Sequence, residues 1–192
     1  MATKDLHICI AGAGMGGLAS ALALAKKGFT NIHVYETAPH LGFVGAGIQL
    51  APNLARILDQ LGVWGPIEAE ATDVLETSIR QGATNIELAH VDLSHIRTTY
   101  SHPHMTGHRV SLAGGLYKGC QQESDKIRFH FSHRLISIEA FGPFPVFTVQ
   151  ASRSSPPTKV SCNILLAADG VKSVTRTAML EHLNVSARII GT

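Results

Sequence analysis

Three glycines and one glutamate carry the first chemical signal in this chain. Gly12, Gly14 and Gly17 fit the spacing G-x-G-x-x-G, directly after the apolar run from Leu6 to Ala11 and ahead of an apolar helical pattern. In that setting the first glycine makes a tight turn, the second lets backbone approach a pyrophosphate, and the third lets the helix pack closely on the strand. The helix N-terminus then presents unpaired N–H groups and a positive dipole end to the anion. Glu36 closes the next apolar run, where a carboxylate can accept hydrogen bonds from the ribose hydroxyls of an adenosine. A 2′-phosphate would be repelled there, which favours FAD or NAD over NADP. The motif by itself does not choose between those two.

Three later segments add to this. Gly45 to Leu61 reads G-A-G-I-Q-L-A-P-N-L-A-R-I-L-D-Q-L, His108, Arg109 and Leu112 read H-R-x-x-L, and Ala168 to Arg176 reads A-D-G-V-K-S-V-T-R. In the last, an apolar run ends in Asp169 and Gly170 and opens a helix, a suitable polar rim for a dinucleotide. Together with the glycine turn, these segments resemble, in order, those of the salicylate hydroxylase-like (group A) FAD-dependent aromatic monooxygenases. The resemblance spans Gly12 to Arg176. It implies FAD as cofactor, with Gly47 a point where backbone nears the flavin, Arg109 an FAD contact, and Asp169 and Gly170 a turn serving FAD and NAD(P)H. Serine at position 111 departs from the aspartate often found in the second segment, and serine suits a helix N-cap.

The same resemblance implies an NAD(P)H- and oxygen-dependent hydroxylation of a phenolic or polyketide-like aromatic. Family members continue through a β-rich substrate domain and a Gly-Asp motif that this sequence does not contain. The expectation is therefore an incomplete, Rossmann-like α/β FAD-binding domain, a parallel sheet plus a β-meander, over residues 1–185. Residues 186–192 would begin a substrate-domain strand. Such a chain is expected to hydroxylate poorly alone, and a complementing chain or an oligomer could supply the rest. A non-catalytic FAD-binding remnant or partner protein stays open as the alternative, and no catalytic residue is assigned.

Periodicity places the elements that must hold these residues. Strands are expected at Leu6–Ala11 and Ile32–Tyr35, with a helix from Met15 to Lys27 between them, stopped by Gly28. A helix starting near Pro52 should bury Leu54, Ile57, Leu58 and Leu61 against the sheet. A hairpin should span Val74–Asp92 around Gly82–Asn85, followed by a helix from Ser111 to Glu123. Extended runs follow at Ile127–Phe131, Leu135–Ala140 and Val146–Gln150. Ser152–Thr158 reads as a loop, Ile164–Ala168 as a buried strand, and Ser173–Leu183 as a helix.

Composition bounds the class. The 192 residues contain 45% hydrophobic and 16% charged side chains, enough apolar content for one substantial core. With 16 basic and 14 acidic residues scattered along the chain, there is no cationic block to track a nucleic acid. Cys9, Cys120 and Cys162 are odd in number and far apart, which suits a reducing cytoplasm better than a disulfide framework. The uncharged run Ile8–Ala25 is too glycine-rich for a membrane span. His102, His104 and His108 have no neighbouring Asp, Glu or Cys to complete a ligand set, so no metal is expected. Neither Ser20 nor Ser173 sits in a nucleophile elbow.

Overall fold

The computed structural model describes residues 3–42, 45–152 and 154–185. In chain order the elements are β1 (Ile8–Ala11), α1 (Met15–Lys26), β2 (Ile32–Tyr35), β3 (Gly47–Leu50), α2 (Pro52–Gln60), α3 (Trp64–Glu68) and β4 (Thr72–Asp73). There follow β5 (Glu76–Arg80), β6 (Glu87–Asp92), α4 (Ile96–Tyr100), β7 (Met105–His108), α5 (Arg109–Gln122) and β8 (Ile127–His130). The chain ends its regular structure with β9 (Arg134–Ala140), β10 (Val146–Gln150), β11 (Thr158–Ser161), β12 (Ile164–Ala167) and α6 (Val174–His182). They form two compact units, one from Met1–Gly42 with Leu116–Thr192, the other from Phe43–Gly115.

The first unit is built on a four-stranded parallel sheet in the order β12-β1-β2-β8. β1 lies in its middle, and Ile8, Cys9 and Ile10 are fully buried, which is why that strand reads as an unbroken apolar run. Alternation along the strands puts Ile8, Ile10, Ile32 and Val34 on one face. That face meets α1, whose Leu18, Ala21, Leu22 and Ala25 are buried at helical spacing. Each leucine so buried contributes about 1.5–3 kcal/mol relative to exposure. α1 stops where Gly28 takes φ +90°, a conformation that costs glycine nothing.

The opposite face carries Cys9, Ala11 and Tyr35, which share a core cluster with Leu135, Phe147, Val149 and Cys162. Those partners come from the antiparallel meander β9-β10-β11 and the turn after it. Cys9 and Cys162, 153 positions apart in sequence, thus meet in one core although nothing in their spacing suggested it. Beside them His33 Nδ1 and His130 Nε2 lie 2.8 Å apart, and the Tyr35 ring stacks on His130 at 4.5 Å. Burial, followed by the nearby charges of His7, His130 and Arg128, pushes His33 down to about 4.

The second unit holds the antiparallel sheet β3-β7-β4, the hairpin β5-β6 and helices α2 to α4. The hairpin turns at Asn85, which takes φ +55°. Arg97 fastens α4 through Glu68 at 2.9 Å and Asp73 at 3.1 Å. His102 Nε2, just past α4, lies 3.6 Å from Asp59 Oδ2 of α2.

Several expectations need correction. α2 begins at Pro52 as expected, but buries Ala55 and Leu58 while Ile57 is 48% exposed. α3 and α4 pack against α2, and a small alanine admits close neighbours that an apolar pattern does not register. α5 begins at Arg109, directly from β7, so Ser111 lies inside its first turn and is not an N-cap. Among the described residues β12 pairs only with β1, and this edge position leaves Ile164 37% exposed where a buried strand was expected. The expected strand at 187–192 lies outside the described residues. Among the described residues, no helix is long and apolar enough to cross a membrane.

Candidate functional site

A cavity of about 330 Å³ opens at the carboxyl ends of β1, β2 and β12, the position where open parallel sheets bind ligands. The glycine turn forms one wall. Gly12 has φ +96°, and its N–H donates to the Tyr35 carbonyl at 2.8 Å. A Cβ on Gly12 would sit 2.4 Å from the Ala168 carbonyl oxygen, and one on Gly17 would sit 2.0 Å from the Gly12 carbonyl oxygen. These two glycines are required by packing between turn, helix and β12. Gly14 differs: a Cβ there would meet nothing within 4 Å. Gly14 lines the cavity, and with no side chain it leaves bare backbone there.

The first intrahelical bond of α1 runs from Leu18 N–H to the Gly14 carbonyl at 2.9 Å. The N–H groups of Met15, Gly16 and Gly17 therefore have no partner within the helix, the usual basis for anion binding at a helix start.

Glu36 stands at the end of β2 with both carboxylate oxygens fixed. The Ala13 N–H donates to Oε2 at 2.8 Å and the Ala38 N–H to Oε1 at 2.8 Å. Each oxygen keeps a lone pair for another donor. The carboxylate thus ties the glycine turn to the strand end, and it is already oriented for a vicinal diol.

Asp169 and Gly170 line the same cavity from the end of β12. Ser173 Oγ donates to Asp169 Oδ1 at 2.5 Å, and Thr175 N–H donates to Oδ2 at 3.0 Å. Ser173 is also the N-cap of α6, accepting the Arg176 N–H at 2.8 Å. Burial by itself would push the Asp169 carboxyl up, but these hydrogen bonds more than offset it and hold it below the usual carboxylate range. Its direct work here is to shape the turn in which Gly170 takes φ +81°.

Five of the eight residues singled out in the sequence, Gly12, Gly14, Glu36, Asp169 and Gly170, line this cavity, and Gly17 supports it from beneath. Gly47 and Arg109 lie in the second unit. There Gly47 pairs with His108 in the β3-β7 ladder, a Cβ on it would meet nothing within 4 Å, and the Arg109 N–H donates to the Ala46 carbonyl at 3.0 Å. The Arg109 side chain is exposed.

Sequence reasoning missed the cations of the cavity. Arg134, at the start of β9, and Lys172, two residues past Gly170, both line it. Among the described residues neither has a hydrogen-bond or ion-pair partner. Lys172 could have been noticed as a basic residue inside the Asp-Gly segment. Arg134 had no signal, because only the chain path from His133, whose N–H donates to the Glu36 carbonyl at 2.8 Å, brings it there.

A parallel sheet with a glycine turn, a fixed acid at the second strand end and two unpaired cations defines a dinucleotide-binding α/β protein. The FAD binding domain family matches residues 5–190, and the chain belongs to that family. It is 33% identical over 188 residues to the 3-hydroxybenzoate 6-hydroxylase of Polaromonas naphthalenivorans, covering 97% of this chain and 44% of that protein. It is 34% identical over 175 residues to 3-hydroxybenzoate 6-hydroxylase 1 of Aquipseudomonas alcaligenes, covering 91% and 43%. The chain thus spans less than half the length of these relatives. Among solved structures it superposes on p-nitrophenol 4-monooxygenase PnpA from Pseudomonas putida with TM-score 0.79, 18% identity, and coverage of 91% of this chain and 43% of that one. For the flavin-dependent monooxygenase PieE, solved with FAD and substrate, the TM-score is 0.77 at 19% identity, covering 95% of this chain and 32% of that one. Likeness at that identity concerns the fold.

Proposed function

We propose that this chain is the FAD-holding portion of a flavin-dependent monooxygenase that hydroxylates a phenolic aromatic acid, using NAD(P)H and oxygen. The observation that carries the reading is Glu36, pinned by two backbone N–H groups at 2.8 Å beside the bare backbone of Gly14. That arrangement suits the ribose and pyrophosphate of an adenosine diphosphate end, and membership of the FAD binding domain family selects FAD over NAD. The α1 amides would receive the pyrophosphate, with Lys172 and Arg134 offsetting its charge. Asp169 would keep the Gly170 turn open beside it. Gly47 and Arg109 would be flavin contacts on the strength of the family resemblance alone.

FAD supplies the redox chemistry when bound, and these residues bind and orient it. The domain reading, FAD binding over 1–185, belongs to the same proposal. The substrate class rests on names among the relatives, which include 3-hydroxybenzoate 6-hydroxylase and 3-amino-4-hydroxybenzoate 2-monooxygenase.

The test is FAD titration of the purified chain, followed by flavin fluorescence, for the parent and Glu36→Gln. The amide keeps one acceptor and loses the charge, and charge-assisted hydrogen bonds contribute about 1.5–3 kcal/mol each. FAD affinity should fall roughly 10- to 100-fold. Equal affinity in parent and variant, or no flavin binding by a folded parent, overturns the reading.

A further inference from the structure

The second unit has a cavity of its own, about 370 Å³, between α2 and α4. Its walls are Pro52, Asn53 and Arg56 on α2 and Ile96 and Tyr100 on α4. Asn53 and Arg56 are one helical turn apart and share a face, as are Ile96 and Tyr100. One wall is therefore amide and guanidinium, the other aliphatic and aromatic. Ala55 and Leu58 are the residues of α2 that bury, so its polar wall is the face turned away from the local core.

Three features distinguish this cleft from an ordinary surface dip. First, among the described residues the Arg56 guanidinium has no carboxylate within salt-bridge range and no hydrogen-bond partner, although Asp59 lies one turn further along the same helix. Asp59 instead meets His102 at 3.6 Å. Second, Tyr100 is 58% exposed, so much of a large ring has no packing partner. Third, both walls have polar tethers: Arg97 pairs with Glu68 and Asp73 on one side, and His102 Nε2, after α4, lies 3.6 Å from Asp59 Oδ2 of α2 on the other.

We infer that the α2–α4 cleft binds a monocyclic aromatic carboxylate, with its ring against Tyr100 and Ile96 and its carboxylate on Arg56 and Asn53. Charge complementarity argues for this occupant. A guanidinium presents paired donors that match a carboxylate, and an aromatic wall favours a flat ring beside it over a bare inorganic anion. A neutral ring would leave Arg56 unanswered, and phosphate would leave the apolar wall unused. That the ring be hydroxylated rests on the proposed function, whereas the cleft itself asks only for an aryl carboxylate.

The experiment is equilibrium dialysis of the purified chain against benzoate and 3-hydroxybenzoate, with benzyl alcohol and inorganic phosphate as controls. It is run on the parent, Arg56→Gln and Tyr100→Ala, each checked by circular dichroism for an unchanged fold. Both acids should bind the parent saturably. Affinity should drop about tenfold or more in Arg56→Gln, the worth of one charge-assisted contact. It should drop by a smaller factor in Tyr100→Ala, and benzyl alcohol should bind none of the three measurably. Equal binding by parent and Arg56→Gln overturns the inference, as does phosphate competing as well as benzoate, or a folded parent that binds neither acid. A parallel FAD titration separates the two claims. Flavin binding without benzoate binding sinks this inference alone, and benzoate binding without flavin binding sinks the proposed function alone.

Discussion

Replacing the glycines of the first turn by alanine, one at a time, separates residues that hold the fold from the residue that admits a ligand. At Gly17 the new Cβ would sit 2.0 Å from the Gly12 carbonyl oxygen and 3.0 Å from its carbonyl carbon, both backbone atoms. A carbon rests about 3.3 Å or more from a carbonyl oxygen, so turn and helix must part by roughly 1 Å. Overpacking of that kind costs about 1–3 kcal/mol or more, against a gain of about 1 kcal/mol from replacing glycine inside a helix. With backbone atoms as the obstacle the upper end of that cost applies, and a net loss of about 2 kcal/mol lowers Tm by roughly 4–8 °C in a chain of this size. Gly14→Ala meets nothing within 4 Å, and its φ of −70° suits any residue, so Tm should stay within ~2 °C of the parent. Its methyl group nevertheless occupies the space where a pyrophosphate would approach, and FAD affinity should fall about 100-fold, the scale of a few kcal/mol of lost contact. Gly16→Ala, also with nothing within 4 Å, is the control: Tm equal or higher, and flavin binding retained. Differential scanning fluorimetry paired with FAD titration reads both properties on the same samples. A Gly17→Ala protein that melts with the parent would refute the packing argument, and a Gly14→Ala protein that binds FAD normally would refute the assignment of the ligand face.

Acid should weaken the first unit through His33. Its folded value of about 4 lies below the ordinary 6.5, so the unfolded chain takes up the proton first as pH falls. The stability it contributes is complete above about pH 6.5 and is lost towards pH 4; because the ring is partly exposed, the size is about 1–2 kcal/mol after screening. Thermal melts of the parent and His33→Gln from pH 7.5 to 4 should show the two profiles converging, and parallel profiles would count against the burial argument. The two cavity cations make a separate prediction. Lys172→Gln and Arg134→Gln should each weaken FAD binding and flatten its salt dependence, since exposed charges act through a screened field. Lys172 lines the same cavity as Gly12 and Gly14, so its variant should lose affinity for ADP more than for adenosine, and equal losses for both ligands would place Lys172 elsewhere.

The parts of this fold that could be read in advance are those whose physics is local. β1, α1 and β2 follow one another within Ile8–Tyr35, and each boundary is set by a residue type: an apolar run, a glycine turn, Gly28 with φ +90°. The hairpin around Asn85 and the N-cap at Ser173 are equally local. What stayed hidden depends on neighbours distant in sequence. Ile57 and Leu58 are indistinguishable by pattern, and only the packing of α3 and α4 on α2 decides that Leu58 is buried and Ile57 is not. β12 reads as a buried strand because Ile164 to Ala167 are apolar, yet among the described residues it has a partner on one side only.

The same division runs through the candidate site. Gly12 and Gly17 announce themselves because glycine has no substitute at 2.4 Å and 2.0 Å from a carbonyl oxygen, whereas Arg134 looks like any strand cation until β9 is laid beside the end of β2. Motifs therefore recover the backbone that is proposed to meet a dinucleotide. The charges that set how strongly an anion is held must come from the assembled sheet, because a long flexible cation can serve the same cavity from many sequence positions. On that reasoning, Lys172 and Arg134 are the residues through which affinity is most easily tuned while the fold is left intact, and Gly17 is the residue through which it cannot be.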